Sequence, residues 1–226
     1  MRVLVVAAHP DDEVLGCGGT IARLSQEGHD VHILILGEGI TSRFQNREKS
    51  PIHEVDRLRS QSYEAGRLLG TKGVSTRDLP DNQFDSIPLL TIVKEIESEI
   101  KAVKADCVYT QHGGDLNIDH VLVYRATLTA ARPTYGYPVK TVYAYEVASS
   151  SEWSFQKFSP VFHPNVFVDI SKTLDLKIRA MEQYESEARE FPHPRSPEAI
   201  RAVAQRWGSV AGLKAAEAFE LVRDIY

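Results

Sequence analysis

The strand that opens this chain constrains its fold more than any other segment. Residues 2–8, RVLVVAA, are valine-rich and apolar after Arg2, so neither alternating face of the run is polar. Such a run suits a strand buried on both sides of a parallel sheet, with helices covering each face. The helical pattern from about Glu13 to Glu27 places Val14, Leu15, Ile21, Ala22 and Leu24 on one side and stops at Gly28. DVHILILG then reads as a second strand and residues 54–70 as a second helix, followed by a weak strand near Gly73–Thr76. Residues 88–105, led by a proline, form an amphipathic third helix. DCVYT is a fourth strand, and residues 119–132 a fourth helix ended by Pro133. Residues 139–147 and 166–171 are later strands, residues 172–188 a further helix, and REFPHPRSPEAI (189–200) a proline-bounded loop.

This alternation predicts an α/β fold: a Rossmann-like, doubly wound, mostly parallel sheet flanked by helices, in one domain over 1–226 with a C-terminal elaboration. An order such as 3-2-1-4-5 makes the first and fourth strands neighbours at the switch point, where ligands bind outside the carboxyl ends of strands. The loop after the first strand is HPDDE and the loop after the fourth is QHGGDLNIDH. The two loops richest in metal-ligating and acid–base residues would therefore face each other.

Composition narrows the function classes. At 42% hydrophobic and 25% charged residues the chain can bury a core and is not disordered. A net charge of -5 argues against nucleic acid as a partner. No run approaches the roughly 18 apolar residues of a membrane span. The apolar opening is shorter than a signal peptide needs, and acids stand where a cleavage site would be. Cys17 and Cys107 lie far apart in apolar surroundings and read as two free thiols. A cytoplasmic protein is the simplest reading.

A histidine, an aspartate three residues later and a distant histidine can supply the three protein ligands of an open catalytic zinc site. His9 and Asp12 provide the first two. Asp11 cannot easily share the same point as its neighbour and is free to accept a proton. The third ligand is His112 or His120; His120 begins a helix that would hold it rigidly, while His112 precedes two glycines and should be more mobile. Asp119 suits a partner that orients a histidine. The plain alternative is a strand-to-helix turn in which an aspartate caps the helix. Capping accounts for one acid but not for a histidine followed by three acids. A dinucleotide site is disfavoured, because acids occupy the place where a phosphate would meet glycines. The glycines of GCGG instead let the first helix pack close to the sheet.

AHPDDE near the N-terminus, together with a distant DH at a helix start, resembles the PIG-L/LmbE-like family of zinc-dependent deacetylases acting on N-acetylglucosamine-containing molecules. The resemblance implies a metal-dependent hydrolase that removes an N-acetyl group from an amino sugar. It implies His9, Asp12 and His120 as ligands of one Zn2+ (or another divalent metal) and Asp11 as general base. Relatives carry a histidine three residues before the DH histidine, where this chain has Asn117. Either the Asn117 amide or His112 could then serve the oxyanion. Arg43, Asp81 and Asn82 follow the second and third strands and suit sugar hydroxyls, and His193 in the proline-bounded loop could close over the substrate. Related enzymes are often oligomers. The competing classes are a non-catalytic sugar-binding protein and a metal-dependent hydrolase of another bond, such as a phosphoester.

Overall fold

Both faces of the opening strand are covered. The computed structural model describes residues 1–45, 47, 51–134 and 139–226. In it β1 (Arg2–Ala7) sends Val3, Val5 and Ala7 into one core and Leu4 and Val6 into the other, each at most 1% exposed. This is period-two patterning with no solvated face.

After β1 the described elements are α1 (Asp12–Gln26), β2 (Asp30–Gly37), α2 (Ile52–Leu69), β3 (Gly73–Leu79), α3 (Leu89–Val103), β4 (Cys107–Gln111) and α4 (Ile118–Ala130). Then come β5 (Thr141–Tyr145), β6 (Val166–Asp169), α5 (Leu174–Glu182), α6 (Pro197–Ala211) and β7 (Ala216–Arg223). The sheet order is β3-β2-β1-β4-β5-β7-β6. Its first five strands are parallel, as expected for a doubly wound sheet, and β7 joins antiparallel between β5 and β6. Helices α1, α2, α5 and α6 contribute to one core, and α3 and α4 to the other. Among the described residues no helix is long and apolar enough to cross a membrane. Cys17 and Cys107 are buried and free.

Three C-terminal expectations need correction. The helix expected over 172–188 ends at Glu182, because Tyr184 turns inward and is fully buried with its hydroxyl donating to Glu13 at 2.5 Å. The segment REFPHPRSPEAI is not a loop throughout, since α6 begins at Pro197 with Ser196 accepting from the Ala199 amide as its cap. Strand β7 was not anticipated, because Glu217, Glu220 and Arg223 break up its apolar residues.

The glycines of α1 are required by close approach. A Cβ on Gly16 would lie 2.2 Å from the Tyr145 ring, whose hydroxyl donates to the Val6 carbonyl at 2.7 Å. Further along the helix, Glu217 accepts from the Gly19 and Thr20 amides. Lys177 Nζ donates to Glu217 and to the Leu15 carbonyl, both at 2.7 Å. This buried pair ties the last strand to α1. Removing one member of such a pair leaves the other charge uncompensated. Lys177→Met is therefore expected to lower the unfolding free energy by about 3–5 kcal/mol in urea denaturation. A loss under 1 kcal/mol would show that the pair is not needed.

Candidate active site

β1 and β4 are adjacent, so the loops at their carboxyl ends meet. The turn after β1 is tight. Asp11 adopts φ 105°, a left-handed conformation that non-glycine residues rarely take and that costs of order 1–3 kcal/mol. Asp11 occupies the N-cap position of α1, yet its side chain caps no amide. Its own amide is held by Glu13 at 3.1 Å. Glu13 is fully buried, and burial pushes its carboxyl up to about 7 against the hydrogen bond from Tyr184. The capping account of this turn thus fails for Asp11.

One ligand atom from each of His9, Asp12 and His120 lies within 4.8 Å of the others. Each is braced from behind. Asp12 Oδ2 accepts from the His9 amide at 2.8 Å and from Gln111 Nε2 at 3.0 Å. His9 Nε2 lies 2.9 Å from Asp119 Oδ2, and Asp119 Oδ1 accepts from the Phe84 amide. His120 Nδ1 lies 3.3 Å from Asp115 Oδ1, and its Nε2 lies 3.3 Å from Asp12 Oδ2. Neither contact is aligned as a hydrogen bond, so both ring nitrogens of this buried histidine lack a partner. Two imidazoles and a carboxylate, with the unsatisfied Nε2 of His120 facing Asp12, fit a divalent cation.

The electrostatics agree. Burial opposes charge on His9, but Asp119 and Asp12 override it and raise the imidazole well above its usual value. Burial likewise opposes charge on His120, which Asp12 and Asp115 push up to about 9. A bound cation and protons therefore compete for the same nitrogens, and binding weakens as pH falls.

Asp11 stands beside this group, 2% exposed, its Oδ2 without a hydrogen bond and 2.9 Å from Arg195 Nη1. Burial raises its carboxyl well above the ordinary range, Arg195 opposes that rise, and Asp12 adds to it. Arg195 Nη1 also reaches Glu187 at 2.6 Å, its Nε donates to Ser149 at 2.8 Å, and Glu187 accepts from Arg43 at 2.6 Å. Sequence reasoning missed Arg195 and Glu187. The one local signal was position, since Arg195 immediately precedes the Ser196–Pro197 helix start. It also missed the serines at 149–151. Ser150 and Ser151 donate to Asp115, so this loop steadies the acid behind His120.

The remaining expected residues divide. Arg43, Asp81, Asn82 and Asn117 line the cleft with His9, Asp11, Asp12 and His120, around a cavity of about 140 Å³. Asp81 accepts from the Ser42 amide and hydroxyl and lies 3.5 Å from His9 Nε2. Asn117 caps α4 through Oδ1, while its Nδ2 donates to Asn82 at 2.9 Å. Asp119 sits behind His9 rather than on the cleft wall.

His112 and His193 do not line the cleft. His112 is not mobile: it is 2% exposed, its Nε2 2.8 Å from the Pro160 carbonyl oxygen and its ring edge-on to Phe162. His193 packs edge-on to Trp153, and its Nδ1 accepts from the Arg195 amide. His112→Ala should thus cost about 1–3 kcal/mol of stability through its lost buried partner, with kcat within a few-fold of the parent. A large fall in kcat at full stability would return His112 to the chemistry. Asp119→Ala should weaken metal binding about 10–100-fold by freeing the His9 ring, measured by metal titration. Unchanged affinity would remove Asp119 from that role.

Comparison with known proteins bears on this site. A family profile described as PIG-L, GlcNAc-PI de-N-acetylase, matches residues 4–131. The chain is 27% identical to the diacetylchitobiose deacetylase of Thermococcus kodakarensis, across 100% of this chain and 84% of that protein. The structure of the N,N'-diacetylchitobiose deacetylase of Pyrococcus horikoshii is similar with a TM-score of 0.78 at 21% identity, covering 98% of this chain and 84% of the other. The 4-carboxy-2-hydroxymuconate hydratase GalB of Pseudomonas putida has the same TM-score of 0.78 at 22% identity, covering 100% and 97%. At those identities the two structural likenesses speak for the fold alone.

Proposed function

Because the chain belongs to the PIG-L (GlcNAc-PI de-N-acetylase) family, we propose that it is a metal-dependent hydrolase removing an N-acetyl group from an amino sugar. The whole of 1–226 is taken as one catalytic domain. The observation that carries the reading is the convergence of His9, Asp12 and His120 beside a buried Asp11 whose Oδ2 makes no hydrogen bond.

His9, Asp12 and His120 hold the ion, for which the mixed imidazole–carboxylate set favours zinc. When bound, it supplies Lewis acidity toward a carbonyl oxygen and acidifies water. Asp11 accepts the proton of the attacking water and returns it to the amide nitrogen as the C–N bond breaks, giving acetate and a free amine. Arg195 holds the Asp11 carboxylate in place. Asn117 retains a second amide hydrogen beyond the one given to Asn82, and it is the donor assigned to the oxyanion. Arg43, Asp81 and Asn82 take sugar hydroxyls.

Two features disfavour the competing classes. The cleft carries Asp11, Asp12, Asp81 and Glu187, and its cations Arg43 and Arg195 are already paired with acids. Beyond the ion, the described cleft offers no arginine without an acid partner to meet the added charge of a phosphoester, whereas a neutral acetamide needs none. A binding protein, in turn, has no use for an aspartate held in a strained, buried turn. The two free cysteines suit a reducing compartment such as the cytoplasm.

The test is metal analysis of the purified protein, followed by amine and acetate release from N-acetylglucosamine and its glycosides. About one zinc per chain and equal yields of amine and acetate are the expected results. No release after metal is restored would sink the proposal, and hydration of a conjugated acid in its place would align the chain with the hydratase.

A further inference from the structure

Three consecutive serines, Ser149, Ser150 and Ser151, stand between the two halves of the proposed centre, the ion ligands and the proton acceptor. They lie just after β5, and the loop that carries Asp115 follows β4. The two strands pair in parallel, so their carboxyl ends deliver both segments to one place. The turn is built by its own bonds. Glu152 accepts from the Ser149 amide at 2.7 Å and from the Ser150 amide at 3.3 Å. Ser151 Oγ accepts from the Val147 amide at 2.8 Å. Ser149 takes φ 69°, the left-handed region that non-glycine residues seldom occupy. None of these bonds uses the hydroxyl of Ser149 or Ser150.

Two of the hydroxyls serve His120. Ser150 donates to Asp115 Oδ1, and Ser151 donates to Oδ2 at 2.5 Å, so both oxygens of one buried carboxylate are held. The Asn117 amide gives Oδ1 a further bond at 2.9 Å. An ionised carboxylate only accepts, so in the neutral His120 ring the proton belongs on Nδ1, which faces Oδ1 at 3.3 Å. That tautomer leaves the lone pair on Nε2, on the side of Asp12. The third hydroxyl serves Asp11. Ser149 Oγ accepts from Arg195 Nε at 2.8 Å, and Nη1 of the same guanidinium lies 2.9 Å from Asp11 Oδ2. Holding Nε restricts how the planar guanidinium meets Asp11.

We infer that this serine turn registers the proton acceptor against the ion. Ser150 and Ser151, acting through Asp115, fix the His120 ring for coordination. Ser149, acting through Arg195, fixes the Asp11 carboxylate. All three are positioning residues, and the inference rests on the metal-hydrolase reading for the identity of the two halves.

Variants within the turn separate those halves. Metal-free protein is titrated with Zn2+ against a chromophoric chelator, and with Co2+, whose visible bands report coordination geometry. Ser150→Ala/Ser151→Ala should bind Zn2+ about 10–100-fold more weakly and alter the Co2+ bands. Ser151→Thr, which keeps the hydroxyl, should match the parent. So should the zinc affinity of Ser149→Gly, which suits the positive φ. With zinc saturating, Ser149→Gly should lower kcat on N-acetylglucosaminides by up to about 10²-fold at unchanged KM. Ser149→Asn restores an acceptor oxygen at a φ that asparagine tolerates, and should recover most of that loss. Ser149→Gly and Arg195→Gln remove the same contact, so their effects on urea unfolding should not add.

Equal zinc affinity in the alanine pair and the parent overturns the inference. So does an equal fall in Ser149→Gly, which would show that the turn matters only as a fold. Additivity in urea or an unchanged kcat in Ser149→Gly overturns it as well. Titration and urea unfolding need no turnover, so they decide the turn even where a metal-binding parent cleaves no amide and only the deacetylase reading fails. A parent that binds no ion overturns both.

Discussion

Asp11→Asn is expected to bind metal as tightly as the parent protein and to cleave N-acetylglucosaminides about 10²–10⁴-fold more slowly, with most of the loss in kcat. The substitution keeps the shape of the side chain. Asparagine also tolerates the positive φ of 105° found here, so the turn that presents Asp12 stays intact. What disappears is the proton acceptor and the charge facing Arg195 at 2.9 Å. Stability should change little, because asparagine keeps the side-chain volume and Arg195 keeps its second acid, Glu187, at 2.6 Å. Steady-state kinetics, metal analysis and a thermal scan of one preparation separate these effects. A kcat near that of the parent would remove Asp11 from proton transfer.

The second large effect concerns the proposed metal ligands. Stripping the metal should abolish turnover, and adding a divalent ion at about 100 times its dissociation constant should stabilise the fold by about 2.7 kcal/mol. For a chain of this size that is a rise of about 5–11 °C in Tm. In His120→Ala neither turnover nor the rise should appear, because a third of the ligand set is gone and Asp12 and Asp115 are left facing each other without the ring between them. The parent protein measured alongside controls for nonspecific binding. A variant that retains one metal per chain and the full thermal shift would mean that His120 is not a ligand.

The site was only partly legible in advance. His9, Asp11 and Asp12 sit within one short turn, so their type and spacing announce themselves. The choice between His112 and His120 was open from spacing alone. In the fold, His120 sits in the first turn of α4 and its ring meets Asp12, whereas the His112 ring faces Pro160. Nothing local to Arg195 and Glu187 announces their role beyond the position of Arg195 before a helix start, because their partners Asp11 and Arg43 lie more than half the chain away. Only the packing of the segment between α5 and α6 over the first strand end brings them there.

The same division holds for the fold. The sequence alone determined the strand–helix alternation, the doubly wound parallel core and the edge at which the charged loops gather. Periodicity records which faces of an element are buried, and an element's neighbours in sequence are usually its neighbours in space. The tertiary structure alone decided that β7 inserts antiparallel beside β5, that Glu217 and Lys177 bond into α1, and that an arginine from a proline-bounded loop meets the buried aspartate. Those outcomes depend on contacts between distant residues, whose geometry is set by how whole layers pack and not by any local pattern.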